Sequence, residues 1–356
     1  MTSAEVALDG EPTPAPTEVP AVAAPGMDVK RLVRLAEASV ADMRIDLDDA
    51  VVVTEAATGA YAITPIIAAL AGARHVYGFT RSTAHGSVAE VVRQTRDLAV
   101  GAGVLDLIEV RTDRPLSVIA EADVVTNSGH VRPIDREVIR RMRPGAALPL
   151  MFESWEIQAG RFDLALDEAV DRGIRVAGTN ERHPLVDVFS YLGTMAVKLL
   201  FDAGTAVRNT RIVVACDNPF ASYLEAGLAS AGAVVRSTTS VADVDPEFDP
   251  DYVLVSLTPT GSPVITSADV RRIARTWPTA VVVQFWGDID RASLREAGVP
   301  YWPVQAPPTG HMAILPSQPG PEPVIRLQAG GLKVGSVLLK PPADRTTFDL
   351  EFLDEL

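Results

Sequence analysis

What most limits how this chain can fold is a repeated alternation of short apolar runs with longer amphipathic ones. "AVVVTEA" has the length and β-branched content of a strand, "ITPIIAALAGA" has helical spacing, and "HVYGFT" is a strand again. The order continues through "SVAEVVRQTRDLAVGAG", "LIEVRTD", "PLSVIAEA", "DVVTNS", "DREVIRRM", "AALPLMFE", "FDLALDEAVDRG" and "IRVAGT". One long helical stretch, "PLVDVFSYLGTMAVKLLFDAG", interrupts it, and the alternation restarts at "RIVVACD". Strands separated by helices cannot join as hairpins. They line up in parallel and need helices on both faces of the sheet. The pattern predicts an α/β fold of two lobes with parallel sheets joined by a long helix. Residues 1–26 read as a disordered tail and 27–183 as the first lobe with an N-terminal helix. Residues 184–205 form the linking helix, 206–342 the second lobe, and 343–356 a peripheral acidic tail.

Length and charge narrow the function. A chain of 356 residues suits two domains. A net charge of −14 argues against nucleic acid or an anionic membrane surface as partner. The single cysteine, Cys216, excludes an intramolecular disulfide and a cysteine metal cage. No apolar run has the length of a membrane span, and the Pro- and Ala-rich N-terminus lacks the signature of a secretory signal. These features predict a cytoplasmic protein with a small-molecule substrate, and the apolar helices leave room for a homo-oligomer. No close His or Asp spacing points to a metal. A G-x-S-x-G elbow and a Lys-bearing phosphate loop are both absent.

In open parallel sheets ligands gather outside the carboxyl ends of the strands, where helix N-termini and free backbone amides converge. In the first lobe those positions hold Thr58-Gly59, Thr80-Arg81-Ser82, Asn127-Ser128-Gly129-His130, Glu153-Ser154-Trp155 and the segment "GTNERHP". Arg81 with Ser82 stands where a dinucleotide fold places an acid for the adenosine ribose. A guanidinium there suits a 2′-phosphate instead. Thr58 and Gly59 bring backbone amides to the head of the next helix, although "EAATGA" keeps only one of the glycines of a G-x-G-x-x-G loop. Glu181 and His183, two residues apart where the lobes meet, form an acid/base pair, with His130 as a second proton-exchanging candidate.

The segment "ADVVTNSGHVRPIDREVIRRMRPGAALPLM", with its Met142-Arg143-Pro144-Gly145-Ala146 turn, resembles the NAD(P)-binding Rossmann domain of D-2-hydroxyacid dehydrogenases and adenosylhomocysteinase-type proteins. "DEAVDRGIRVAGT" is similar to the helix and strand that follow, so the resemblance spans about residues 45–180. It implies two Rossmann-like lobes with a nucleotide between them, NADP or NAD, contacted by Thr58, Gly59, Arg81, Ser82 and Asn127. The chain departs from the dehydrogenases after the M-R-P-G-A turn: the next strand ends in Phe152-Glu153-Ser154-Trp155-Glu156, without the substrate-binding arginine. The implied activity is that of an NAD(P)-dependent oxidoreductase acting on a small polar metabolite. His183 or His130 would exchange the proton, and Glu181 would fix the imidazole tautomer. Two alternatives share the cleft: a lyase, isomerase or transferase using Glu153, Glu181 and His183, and a non-catalytic ligand-binding protein.

Overall fold

The computed structural model describes residues 25–158 and 164–355, so the N-terminal tail lies, through residue 24, outside the described residues. Six strands of the first lobe run parallel: β1 Val51–Glu55, β2 His75–Phe79, β3 Ile108–Arg111, β4 Val124–Val125, β5 Ala147–Pro149 and β6 Arg175–Thr179. Their spatial order is 3-2-1-4-5-6, that of a dinucleotide-binding sheet. All five residues of β1 are buried, as a β-branched strand covered on both faces must be. One face carries Leu32, Val33, Ile66, Ile67 and Leu98 from three helices. The other carries Val118, Ile119, Val138, Ile139 and Ala169.

The second lobe contains β7 Arg211–Cys216, β8 Val234–Thr238, β9 Tyr252–Ser256, β10 Val281–Trp286 and β11 Tyr301–Trp302, all parallel. Counted within the lobe, their order is 2-1-3-4-5, the flavodoxin-like arrangement. The linking helix packs on this sheet. Where it crosses the helix Ala221–Ser230, Gly193 and Gly227 face each other, and a Cβ on either would lie within 2.5 Å of the other's Cα. Only a pair of glycines permits that approach.

Three boundaries differ from the sequence reading. The helix Glu322–Leu339, assigned by chain order to the second lobe, returns to the first sheet and is buried along most of its length. Its glycines allow close seating: a Cβ at Gly335 would lie 3.1 Å from Val124 and 3.3 Å from Pro149. The acidic tail is not peripheral. Phe352 is wholly buried, and β12 Leu353–Asp354 pairs antiparallel with β6. Asp349 accepts hydrogen bonds from the buried Lys333 at 2.6 Å and from Lys340 at 3.0 Å. These two ammonium groups and the Thr346 backbone N–H hold its carboxyl well below the usual range, against the opposing effect of its burial. Lastly, the linking helix begins at Tyr191 rather than Pro184. Residues 184–190 turn instead, with Asp187 at φ +45° and the Val186 and Val188 side chains buried. Among the described residues no helix is long and apolar enough to cross a membrane.

Candidate functional site

In a sheet of order 3-2-1-4-5-6 the direction of winding reverses between β1 and β4, and the two loops leaving those strands diverge to open a crevice. β1 ends at this reversal in Glu55. The residue is 6% exposed, and its carboxylate Oε2 accepts the His130 backbone N–H at 3.4 Å. A Cβ on Gly129 would lie 3.1 Å from the same oxygen, so a bare backbone suits this approach. The Glu55 N–H donates to Ser128 Oγ at 3.1 Å. That hydroxyl lies 2.7 Å from Thr126 Oγ1, which donates to Thr54 Oγ1 at 2.9 Å. Burial pushes the Glu55 carboxyl up to about 7, with the His130 and Gly129 amides and the Arg132 charge acting the other way. Burial and the Glu55 charge together raise the Tyr61 phenol to about 12.

Basic side chains follow the neighbouring strands in a chain whose net charge is −14. Arg81 is exposed at the end of β2. Arg114 donates to the carbonyl of Pro133 at 3.0 Å. Burial lowers the affinity of both Arg114 and His130 for a proton, and the Arg81 charge lowers each further, while Asp135 opposes the effect on Arg114. His130 Nδ1 is buried and finds no hydrogen-bond partner in the protein.

The expected nucleotide contacts divide into two groups. Thr58, Gly59, Arg81 and Ser82 stand at the tips of β1 and β2. Asn127 is a buried strut, its Oδ1 accepting the Met151 N–H at 2.7 Å. Gly59, at φ +66°, directs its N–H to Gln94 Oε1 at 2.7 Å. Thr58 Oγ1 donates to the His85 carbonyl at 3.0 Å, and a Cβ on Gly86 would lie 2.5 Å from Thr58 Cγ2. The loop after β2 therefore rests on the turn after β1. A bound diphosphate needs free amides and close backbone approach. Here the one glycine amide is already taken, and a carboxyl group stands at the strand tip. The residues as arranged do not fit a dinucleotide diphosphate.

The second lobe is closed in a similar way. Its first turn, Cys216 to Ala221, has no glycine. Asn218 Oδ1 accepts the Phe220 N–H at 3.1 Å, and Asp217 Oδ1 accepts the Thr258 N–H and hydroxyl at 2.8 and 2.9 Å.

His183 and Glu181 do not join the Glu55 group. β6 and β1 are three strand spacings apart, about 14 Å across the sheet. The His183 ring stacks on Phe352 at 3.8 Å between centroids, and its Nδ1 accepts the Leu185 N–H at 3.2 Å. The carboxylate that reaches Nε2, at 3.7 Å, belongs to Glu351 rather than Glu181. Burial lowers the His183 pKa, more than Glu351 raises it. The returning C-terminal segment makes this an internal packing site. The Glu181 side chain is also buried, and its carbonyl accepts the Val188 N–H at 3.0 Å.

Beyond β5 the shared gap expected between the lobes is packed. Trp155 meets Phe220 and Trp286 of the second lobe edge-on, with centroids 5.6 and 6.0 Å apart. Its Nε1 donates to Glu153 at 3.1 Å, and Arg182 pairs with the same buried carboxylate at 2.9 Å. Among the described residues no cluster of His, Cys, Asp and Glu could hold a metal.

No family model and no curated protein matches this chain. Solved structures do. A dipicolinate synthase subunit from Bacillus halodurans aligns over 83% of this chain and 100% of its own, at 13% identity and a TM-score of 0.50. The corresponding dipicolinate synthase polypeptide of Bacillus subtilis covers 80% of this chain and 95% of its own, at 10% identity and a TM-score of 0.48. NAD⁺-bound 3-phosphoglycerate dehydrogenase from Entamoeba histolytica covers 80% and 93%, at 11% identity and 0.44. The likeness is one of fold. This chain has two Rossmann-like lobes, as the dehydrogenase resemblance implied, and identities this low carry nothing about substrate.

The sequence reading missed Glu55. The available signal was an acid closing a five-residue strand, "VVVTE", a place where burial is paired with charge.

Proposed function

We propose that the chain binds a small polar metabolite at the β1–β4 crevice of the first lobe and exchanges a proton with it through Glu55, without hydride transfer. One observation carries this reading: a carboxyl group at the switch point whose Oε2 accepts the His130 N–H and which burial pushes up to about 7. A group with a pKa near the working pH can both give and take a proton, which general acid/base chemistry requires. Lyase, isomerase or transferase chemistry would fit such a site. A thermal-shift screen of amino acids, sugars and their phosphates tests it. A stabilising ligand should lose at least about tenfold in affinity or turnover in Glu55→Gln, at an unchanged fold. A ligand handled equally well by the variant would contradict the reading.

A second reading, the NAD(P)-dependent oxidoreductase, is favoured by the dinucleotide strand order together with the exposed Arg81 and Ser82 at the tip of β2. It requires the loop 82–86 to leave Thr58 and Gln94 to release the Gly59 amide. Saturable quenching or enhancement of NADPH fluorescence on titration, weakened in Arg81→Ala, would favour this second reading over the first.

A further inference from the structure

We propose that two copies of this chain join along the outer edge of β3, antiparallel about a two-fold axis at Val110, so that their first-lobe sheets run into one another. This surface lies apart from Glu55, and the inference stands whether or not that acid exchanges a proton. β3 is the last strand of the seven-stranded first sheet and pairs with β2 on one side. Among the described residues no strand pairs with its other side. The Arg111 carbonyl accepts the Thr80 N–H at 2.9 Å, so it points toward β2. Backbone groups alternate along a strand, which turns the N–H and C=O of Val110 outward. Such an edge is a template for another strand. Apolar side chains flank it. Val92 and Leu105 are 42% and 40% exposed. With Ala99, Ile108 and Val110 they line a groove of about 210 Å³ between β3 and the helix Val88–Ala102.

Charge selects the occupant. Glu109 and Arg111 alternate to the face opposite the groove, where Arg111 donates to Glu109 at 2.8 Å and to Asp113 at 2.9 Å. In an antiparallel pair centred on Val110, Glu109 of each copy stands directly across from Arg111 of the other. Opposite charges so placed stabilise a strand pair, and like charges destabilise it. Val110 exchanges both of its backbone hydrogen bonds with its own counterpart. A two-fold axis normal to the sheet also keeps the two grooves on one face, where their apolar walls meet. One self-complementary strand thus satisfies both sides of an isologous contact. The edge strand β8 of the second lobe, "VVRST", lacks this property: Arg236 is its single charge, and a second copy offers it no acid.

Sedimentation velocity of the full-length protein over a dilution series tests this. A reversible equilibrium between one chain and two is expected, with exchange of the Val110 amide slowing as the dimer fills. Glu109→Arg and Arg111→Glu each set like charges across the axis and should each weaken association at least about tenfold. Mixed in equal amounts, the two variants should associate again, because each supplies the charge that the other lacks. Rescue in the mixture excludes misfolding as the cause of the single losses, and circular dichroism checks each variant alone. Three results would overturn the proposal: a single chain at every concentration, a dimer equally strong in both variants, or a mixture that fails to associate. A single chain whose Val110 amide is nonetheless protected would also overturn it, by showing that something other than a second copy covers the edge.

Discussion

Glu55 and Asp217 occupy equivalent places in the two lobes. Each follows or ends the first strand of its sheet, and each stands where a dinucleotide fold would begin its phosphate loop. Asp217 is exposed and satisfied locally by the Thr258 N–H and hydroxyl, which ties the turns after β7 and β9 together. Glu55 is buried, its N–H fixed by Ser128 and its carboxyl met by the backbone amides of the opposite loop. Burial separates the two: the same chemical group fastens a turn in water and is pushed toward its protonated form when water is withdrawn.

The largest expected effect that sharpens this contrast is on stability against pH. The Glu55 pKa is raised in the folded state, so between its unfolded value near 4.5 and about 7 the folded protein holds a proton that the unfolded chain has lost. Stability due to this group is therefore complete at low pH and falls as pH rises through that window, by about 3 kcal/mol at most. Glu55→Gln should remove that slope in urea titrations from pH 5 to 8. A variant with the wild-type slope would place the titration elsewhere.

Next in size is the junction that holds the two regions together. Trp155→Ala should cost about 2 kcal/mol and separate the melting of the lobes in calorimetry, because it empties the contact with Phe220 and Trp286. A single unshifted transition would show that the lobes are joined elsewhere. Asp217→Ala should cost about 1 kcal/mol, the value of two exposed hydrogen bonds. The smallest effect belongs to Gln94→Ala, about 0.5 kcal/mol for the lost bond to Gly59. That variant should also gain affinity for NADPH by isothermal titration if the blocked amide is what limits it.

The regular alternation made both lobes legible in the sequence, because strand and helix periods are local properties. What was not local was lost. The strand order, which places Glu55 between β2 and β4, depends on pairings across 70 residues. The last 30 residues looked like a second-lobe helix and a charged tail. Their burial rests on Lys333 meeting Asp349 and on glycines spaced to fit the first sheet. His183 looked like a free acid/base for the same reason: Phe352, which covers it, lies far downstream. Arg81 and Ser82 are legible at the tip of β2 from local pattern alone, and the structure puts them there.

The most direct test is the ionisation of Glu55 itself, read from the carboxyl ¹³C shift of the labelled protein across pH 3 to 9 and assigned by its disappearance in Glu55→Gln. The account predicts one carboxyl titrating near pH 7. A Glu55 signal that titrates with the exposed glutamates, near 4.5, would contradict it.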